Sequence, residues 1–125
     1  MKALIGVIPE DILRKRVLAI AAGKYKPQPG EPKVWFASLN ALGQVLSNEN
    51  IALLRLINAE KPETLSELAT LSGRQLSNLS TTLKTLSRHG FVTLEKRGRS
   101  IMPTAIFTDF EILVDKELND RFEAA

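Results

Sequence analysis

The chain of 125 residues contains no cysteine and only one histidine, which limits the chemistry that its side chains can support. Without cysteine there is no disulfide framework and no thiolate metal site, and a single imidazole cannot form a dedicated metal centre. One histidine also leaves few partners for a nucleophilic serine, and no glycine-rich phosphate or dinucleotide motif is present. The sequence therefore predicts a protein that is not an enzyme and that needs no metal or cofactor.

Long apolar runs are also absent. No run approaches the roughly 18–20 residues needed to span a bilayer, and the first residues lack a signal-peptide cleavage pattern. Together with the absence of cysteine, these features predict a cytoplasmic protein without a membrane partner. The length is typical of one domain with a single core.

Acidic residues are scarce in one stretch, residues 74–100, which carries six Lys or Arg against one Glu. The resulting +5 exceeds the net charge of the whole chain, which is +3. A local basic cluster attracts a phosphate backbone, although a solvated charged face is the plainer interpretation without context. Residues 101–125 are acidic, with six Asp or Glu against two Lys or Arg.

The first third of the chain is predicted to form a strand, a helix and an extended arm. Residues 2–8 are short, apolar and partly β-branched, as in a strand, and a helix follows between Pro9 and Gly23. Three apolar residues at helical spacing predict the buried face of this helix: Leu13, Val17 and Ile20. Residues 24–33, with three prolines and a glycine, indicate a linker or extended arm.

The middle of the chain predicts three helices in close succession. Residues 48–59 are apolar nearly all round, which indicates a central helix, and Pro62 ends it. Thr64 and Glu67 have capping-box spacing and begin a short second helix, after which Gly73 provides a tight turn. The third helix is expected over about residues 75–88.

This third helix combines a leucine face with an open side of short polar residues. Four leucines fall within one sector of this helix: Leu76, Leu79, Leu83 and Leu86. Gly90 closes the helix as a left-handed cap. Serine, threonine and asparagine compete for backbone hydrogen bonds, and an ordinary solvated face would be richer in Glu and Lys. Short polar side chains suit a helix that lies in the major groove of DNA, about 12 Å wide.

A β-hairpin with a basic tip is predicted next. "FVTLEK" alternates as a strand, "RGRS" turns, and "IMPTAIF" begins the return strand. The tip residues Lys96, Arg97 and Arg99 could reach a minor groove or flanking phosphates, although basic residues are also common at solvated hairpin tips. "FEILVD" could form another strand, with Phe110, Ile112 and Val114 on one face.

Three further side chains have competing interpretations. His89, at the end of the third helix, is interpreted as a helix cap in preference to a phosphate ligand. Trp35 and Phe36 are expected to pack in the core or at a dimer interface, in preference to lining a small-molecule pocket.

The segment "LSELATLSGRQLSNLSTTLKTLSRHGFVTLEKRGRSIMPT" resembles the winged-helix repressors of the MarR and ArsR kind, over roughly residues 48–103. The order helix, helix, tight turn, helix, basic hairpin carries the resemblance. The N-terminal part is similar to a small group of prokaryotic regulators that are proposed to bind DNA and often proposed as antitoxins. The resemblance implies a dimer on a palindromic operator, with one recognition helix in each half-site.

The sequence thus predicts an α+β, mostly helical fold: a winged helix-turn-helix with an N-terminal strand-helix extension. Residues 1–33 are expected to mediate dimerisation, residues 34–107 to bind DNA, and residues 108–125 to form a strand and an acidic tail. The recognition helix, about 75–88, would lie in the major groove, and the wing, 95–100, on the minor groove or the backbone. The expected function is sequence-specific double-stranded DNA binding by a homodimeric transcriptional regulator, with repression as the expected mode.

The expected DNA-binding residues divide into two groups. Phosphate contacts are predicted from Lys84, Arg88, Lys96, Arg97 and Arg99. Specificity is predicted from Arg74, Gln75, Ser77, Asn78 and Thr81, of which Arg74 and Asn78 are the best base-contact candidates; Thr85 lies on the same side.

Two alternatives remain open at this point. The chain could be an antitoxin that wraps a toxin protein with residues 24–36 or 104–125 and also autoregulates its operon. It could instead be a degenerate winged helix used only for protein contacts, which would not bind DNA at low salt.

Overall fold

Residues 1–123 are described by a computed structural model and form six helices and five strands. In chain order these elements are β1 (Lys2–Val7), α1 (Glu10–Ala21), β2 (Val34–Phe36), α2 (Leu39–Val45), α3 (Asn48–Glu60), α4 (Leu65–Ser72), α5 (Leu76–Arg88), β3 (Val92–Arg97), β4 (Ser100–Ala105), β5 (Asp109–Leu113) and α6 (Lys116–Glu123). The α+β class is confirmed, with helix in about half of the residues.

The chain divides into two compact units. The hairpin unit comprises Met1 and Val45–Asp109, and the three-stranded unit comprises Lys2–Gln44 and Phe110–Ala125. Most of α2 and all of β2, which lie within the range of residues 34–107 predicted to bind DNA, belong to the three-stranded unit, in which β2 pairs with β1.

Side-chain caps fix where two helices of the hairpin unit begin. Ser47 Oγ accepts a hydrogen bond from the Asn50 amide at 3.2 Å before α3, and Thr64 Oγ1 accepts one from the Glu67 amide at 3.0 Å before α4. The predicted cap at Thr64 is confirmed. The Glu67 carboxylate accepts in turn from the Glu63 amide at 3.2 Å, one residue before the position that a capping box uses.

The third helix and the hairpin of this unit lie where the sequence predicts them. Gly90 follows α5 with a φ of 80°, the left-handed conformation expected of it. β3 and β4 pair antiparallel along their whole length, and Gly98, with a φ of 61°, forms the two-residue turn with Arg99. α4 packs against α5, and α5 packs against β3.

The three-stranded unit is built on a sheet with β1 at its centre, between β2 and β5. β1 and β2 are parallel, and Gly6 lies opposite Trp35. A buried cluster forms the core on one side: Ile8, Ile12, Leu118 and Phe122. Trp35 packs against this cluster and Phe36 is buried, which confirms core packing for both aromatic residues.

A buried ion pair holds the proline-rich arm against α1. The Arg16 guanidinium donates to Glu31 Oε1 from Nε at 3.0 Å and from Nη2 at 2.6 Å, and the Glu31 side chain is only 2% exposed. The Tyr25 hydroxyl and the Gln28 amide donate to the other carboxylate oxygen. The arm is therefore fixed by a satisfied buried carboxylate.

α1 buries a face that overlaps only in part with the one predicted. The sequence favours Leu13, Val17 and Ile20. The buried residues are Ile12, Arg16 and Ala19. Leu13 is half-buried against the buried cluster and Ile20 is also half-buried, whereas Val17 is exposed. The sequence could not indicate Arg16 as buried, because its carboxylate partner lies 15 residues away in the chain.

The predicted acidic tail is largely a helix. Leu118 and Phe122, four residues apart on α6, are buried, and an Asp115 side-chain oxygen accepts from the Glu117 amide at 2.8 Å where the helix begins. Two apolar residues in an otherwise charged segment give too weak a pattern to indicate burial. The last two residues of the predicted tail lie outside the described residues.

Candidate functional site

α5 has one buried side and one open side. Leu79, Leu83 and Leu86 are fully buried, as their spacing predicts. The leucine spacing predicts Leu76 on the same face, but Leu76 is 48% exposed, since it lies in the first turn of the helix. The leucines thus anchor α5 from its second turn onward and leave its opposite side to solvent.

The open side presents short polar and basic side chains. Exposed residues on or just before α5 are Gln75, Ser77, Asn78, Thr81, Lys84 and Arg88. Thr85 is partly buried. Gln75 is the N-cap residue but makes no side-chain capping bond, and the Asn78 amide has no hydrogen-bond partner among residues 1–123. Both amides therefore keep their donors and acceptors available for a ligand.

Two hydroxyls on this side bond to the helix itself. Thr81 Oγ1 donates to the Ser77 carbonyl at 3.3 Å, and Thr85 Oγ1 donates to the Thr81 carbonyl at 3.3 Å. Arg88 Nη2 donates to Thr85 Oγ1 at 3.2 Å. A hydroxyl that donates to the preceding turn retains its oxygen as an acceptor, so Thr81 can accept from a ligand where Asn78 can both accept and donate.

Arg74 connects the turn before α5 to the start of α3. Its Nη2 donates to the Glu49 carbonyl at 2.8 Å, and its Nη1 donates to Asn50 Oδ1 at 3.2 Å. Asn50 also donates to the Val45 carbonyl at 2.9 Å, so it links three segments. The guanidinium expected to contact bases is engaged inside the protein, and the sequence offers no local signal for a contact over 24 residues.

The hairpin tip is basic and exposed. Lys96, Arg97 and Arg99 are all exposed, and Arg97 makes a 3.5 Å ion pair with Glu95, both side chains being more than half exposed. Among the described residues, Lys96 and Arg99 have no acidic partner within ion-pair distance. Exposed ion pairs of this kind contribute little to stability, so the positive charge of the tip remains available to a binding partner.

The tip and α5 line one groove. The groove has a volume of about 280 Å³ and is lined by residues of three segments: Thr64, Leu65, Ser66, Leu76, Ser80, Arg99, Ser100 and Ile101. Arg99 of the hairpin and Ser80 of α5 therefore belong to a single surface. The sequence places Ser80 in the predicted recognition helix and Ser100 in the predicted wing but does not single out either residue. It gives no sign of Ser66, because a groove formed by three segments leaves no periodic pattern in any one of them.

His89 lies at the end of α5, where both its backbone amide and its ring make contacts within the protein. The His89 amide donates to the Ser87 carbonyl at the C-cap, and the imidazole stacks on Phe91 with ring centroids 6.1 Å apart. Burial lowers the pKa of His89 below its ordinary value, and the Arg88 charge lowers it further. The neutral ring is favoured in this position, as suits stacking on an apolar side chain.

Residues 1–123 contain neither a metal-binding cluster nor a membrane-spanning helix. No group of three or more His, Asp or Glu side chains in these residues is arranged to hold a metal ion. No helix in this part of the chain is both long enough and apolar enough to cross a membrane.

Comparison with known proteins identifies one family. The model of the HVO_A0114 family matches residues 45–112, more than half of the chain. The matched region includes α3, α4, α5 and the hairpin. No curated protein matches the chain.

Proposed function

The chain belongs to the HVO_A0114 family, and we propose that the matched region is a winged helix-turn-helix that binds double-stranded DNA. In this proposal α4 and α5 are the helix-turn-helix, α5 is the recognition helix, and the β3–β4 hairpin is the wing. The protein acts as a transcriptional regulator that occupies its operator, which makes repression its simplest mode of action.

The open side of α5 is the observation that carries this proposal. Three fully buried leucines fix the helix, and the other side presents small polar residues at Ser77, Asn78 and Thr81, with long charged residues only at Lys84 and Arg88. Such a side allows the helix axis to approach base edges within a groove about 12 Å wide. A helix of 13 residues is about 20 Å long, sufficient to follow several base pairs.

The geometry supports different roles for the polar residues. Asn78 and Gln75 have the amide groups that pair with adenine through two hydrogen bonds. Thr81 presents an acceptor oxygen to a base amino group, since its proton is used within the helix. Arg74 orients α5 through its bonds to the start of α3, so we assign it to positioning the helix.

Basic side chains around this surface supply affinity. Lys84 and Arg88 on α5 flank the polar side, and the wing adds Lys96, Arg97 and Arg99. Each phosphate neutralised by such a group releases counterions, which makes binding weaken as salt rises. The groove that joins Arg99 to Ser80 supports simultaneous contact by the wing and α5.

A homodimer completes the proposed mode of binding. One α5 offers few base contacts, whereas two copies placed on half-sites about one helical turn apart, roughly 34 Å, double that number. The operator is then expected to be palindromic.

Salt titration of DNA binding tests this function. The double variant Arg97→Ala, Arg99→Ala removes two wing charges, and the control Lys24→Ala, Lys26→Ala removes two exposed charges from the three-stranded unit. We expect the wing variant alone to flatten the plot of log affinity against log salt, by about 0.9 for each phosphate that the variant no longer neutralises.

Two results would contradict the proposal at different points. If the wild-type protein binds no mixed genomic DNA at about 50 mM salt, the DNA-binding function is wrong. If both double variants change the slope equally, the hairpin is not a wing. Selection of bound genomic fragments then gives the operator and shows whether its half-sites are symmetric.

A further inference from the structure

We propose that β5 pairs antiparallel with β5 of a second copy of this chain, which joins two three-stranded sheets into one six-stranded sheet. The inference rests on the homodimer of the proposed function and assigns the surface that forms it. It does not depend on DNA being the ligand.

The two edges of the sheet differ in how they are protected. β2, at one edge, has three residues and is preceded by Pro32 and Lys33, which discourage a further strand. β5, at the other edge, has five residues and contains neither proline nor lysine. An unprotected edge strand presents backbone donors and acceptors that recruit another strand. The structure thus leaves one edge open to pairing.

The open edge is also apolar. Ile112 is 48% exposed and Val114, directly after the strand, is 61% exposed. Both alternate with Phe110 along the chain, so the three side chains share one face of the extended segment. Exposed β-branched residues beside an unpaired edge favour burial by a partner strand.

The sequence of β5 matches itself across a two-fold axis. With the axis at Ile112, this residue lies opposite its own copy, and Phe110 lies opposite the partner's Val114. The apolar face then continues through both strands, which is the self-complementarity that an isologous interface requires. This pattern favours a second copy over an unrelated strand.

Acidic residues lie at the two ends of this pairing and at Glu111, which would lie opposite the partner's Leu113 and pairs with Lys2 at 4.0 Å within its own chain. In the same register Asp109 approaches the partner's Asp115, which is unfavourable for bare charges. Within its own chain, Asp109 pairs with Arg55 at 3.4 Å, and Asp115 accepts from the Glu117 amide at 2.8 Å. Each of these two carboxylates therefore already has a partner within its own chain when the two strands pair.

The absence of native cysteine allows a direct test of the register. Residues opposite each other on antiparallel strands have Cα atoms about 4.5–5.5 Å apart, within the range of a disulfide. Ile112→Cys, treated with oxidised glutathione, is expected to form a covalent dimer. Val114→Cys is the matched control, because its own copy would lie roughly 13 Å away at about 3.3 Å per residue. Cross-linking of Val114→Cys at an equal or higher rate overturns the register.

The mass of the protein in solution tests the surface itself. Light scattering is expected to show a dimer for the wild type, a loss of that dimer in Ile112→Lys, and a retained dimer in Val17→Lys, whose position is similarly exposed on α1. A dimer that survives in Ile112→Lys overturns the β5 interface but leaves the homodimer of the proposed function intact. A wild-type monomer overturns both, while DNA binding is decided separately by the salt titration.

Discussion

Asn78 is the clearest candidate for base recognition on α5, because its amide is exposed and unengaged within residues 1–123. We expect Asn78→Ala to lower the ratio of operator affinity to random-DNA affinity. The loss should be on the order of 1–3 kcal/mol, the usual contribution of a bidentate base contact. Fluorescence anisotropy with two labelled duplexes, one operator and one scrambled, measures this ratio.

Lys84→Ala provides the comparison for Asn78. Lys84 is exposed on the same helix, and a lysine that contacts phosphate should weaken both duplexes equally and leave the ratio unchanged. An unchanged ratio in Asn78→Ala as well would reassign Asn78 to the backbone and leave specificity to Gln75 and Thr81.

Gly6 allows Trp35 to lie directly against β1. A Cβ at residue 6 would lie 2.5 Å from Trp35 Cζ3 and 2.6 Å from its Cε3, closer than any ordinary contact. Gly6→Ala must displace the indole from the buried cluster, and we expect a loss of about 1–3 kcal/mol of stability. Urea unfolding followed by the fluorescence of the single tryptophan measures both the loss and the changed environment.

Gly43 is the matched control for that substitution. It lies within α2, and apart from its chain neighbours and the backbone of its own helix no heavy atom lies within 4 Å of the Cβ that alanine would add. Gly43→Ala should stabilise the protein by roughly 0.5–1 kcal/mol, since alanine loses less backbone entropy in a helix. If the two variants lose the same stability, tight packing of Trp35 is not the reason for glycine at residue 6.

At the scale of elements, Arg74 connects α3 to the turn that precedes α5. Arg74→Ala leaves the Glu49 carbonyl and Asn50 Oδ1 without their donor, so we expect a loss of about 1–3 kcal/mol of unfolding free energy in the absence of DNA. Lys84→Ala removes the same charge from an exposed position and should change stability by less than about 0.5 kcal/mol. If chemical denaturation gives Arg74→Ala and Lys84→Ala the same unfolding free energy, Arg74 is assigned to DNA contact alone.

The elements that the sequence predicts correctly are those with local signals. α5 and the hairpin follow from leucine spacing and from two glycines that adopt positive φ, Gly90 and Gly98. The buried face of α1 and the helical nature of α6 could not be predicted in this way. Arg16 is buried by a carboxylate from another segment, and α6 is held by two apolar side chains whose neighbours come from the start of the chain.

The same distinction applies to the candidate site. The open side of α5 can be predicted from the sequence, because all of its residues belong to one helix and follow its spacing. The bonds of Arg74 to α3 and the groove shared by α4, α5 and the hairpin arise only when segments distant in sequence meet. Sequence therefore identified the polar and basic groups, while structure separated those that are available from those already engaged.

For the whole molecule, net charge is a poor guide to the proposed DNA-binding surface. The hairpin unit carries eight Lys or Arg against six Asp or Glu, giving +2, and the rest of the chain carries nine against eight, giving +1. The difference lies in position: six of the eight basic residues of the hairpin unit fall within residues 74–100, together with only one acid. A phosphate backbone responds to this local density, which is why the salt slope should depend on the wing and not on total charge.

The stability of the whole chain should depend on Glu31 at acid pH. Burial opposes ionisation of this carboxyl, but hydrogen bonds from Tyr25, the Gln28 amide and Arg16, with the Arg16 charge, outweigh it and hold its pKa below the ordinary 4.5. A lowered pKa means that the unfolded chain binds the proton more readily. The ionised carboxylate therefore contributes its full stability above about pH 4.5, and that contribution is lost as the pH falls through the lower value in the folded protein.

Glu31→Gln isolates this contribution from that of the other carboxylates. The variant should be less stable than the wild type at pH 7, and the difference in unfolding free energy should shrink as the pH falls below 4.5, because the wild-type carboxyl then becomes neutral too. Glu60→Gln, at an exposed position, should follow the wild-type curve throughout. Urea denaturation at a series of pH values measures these differences. A constant difference between Glu31→Gln and the wild type at every pH would show that shape alone, and not the charge of Glu31, holds the arm on α1.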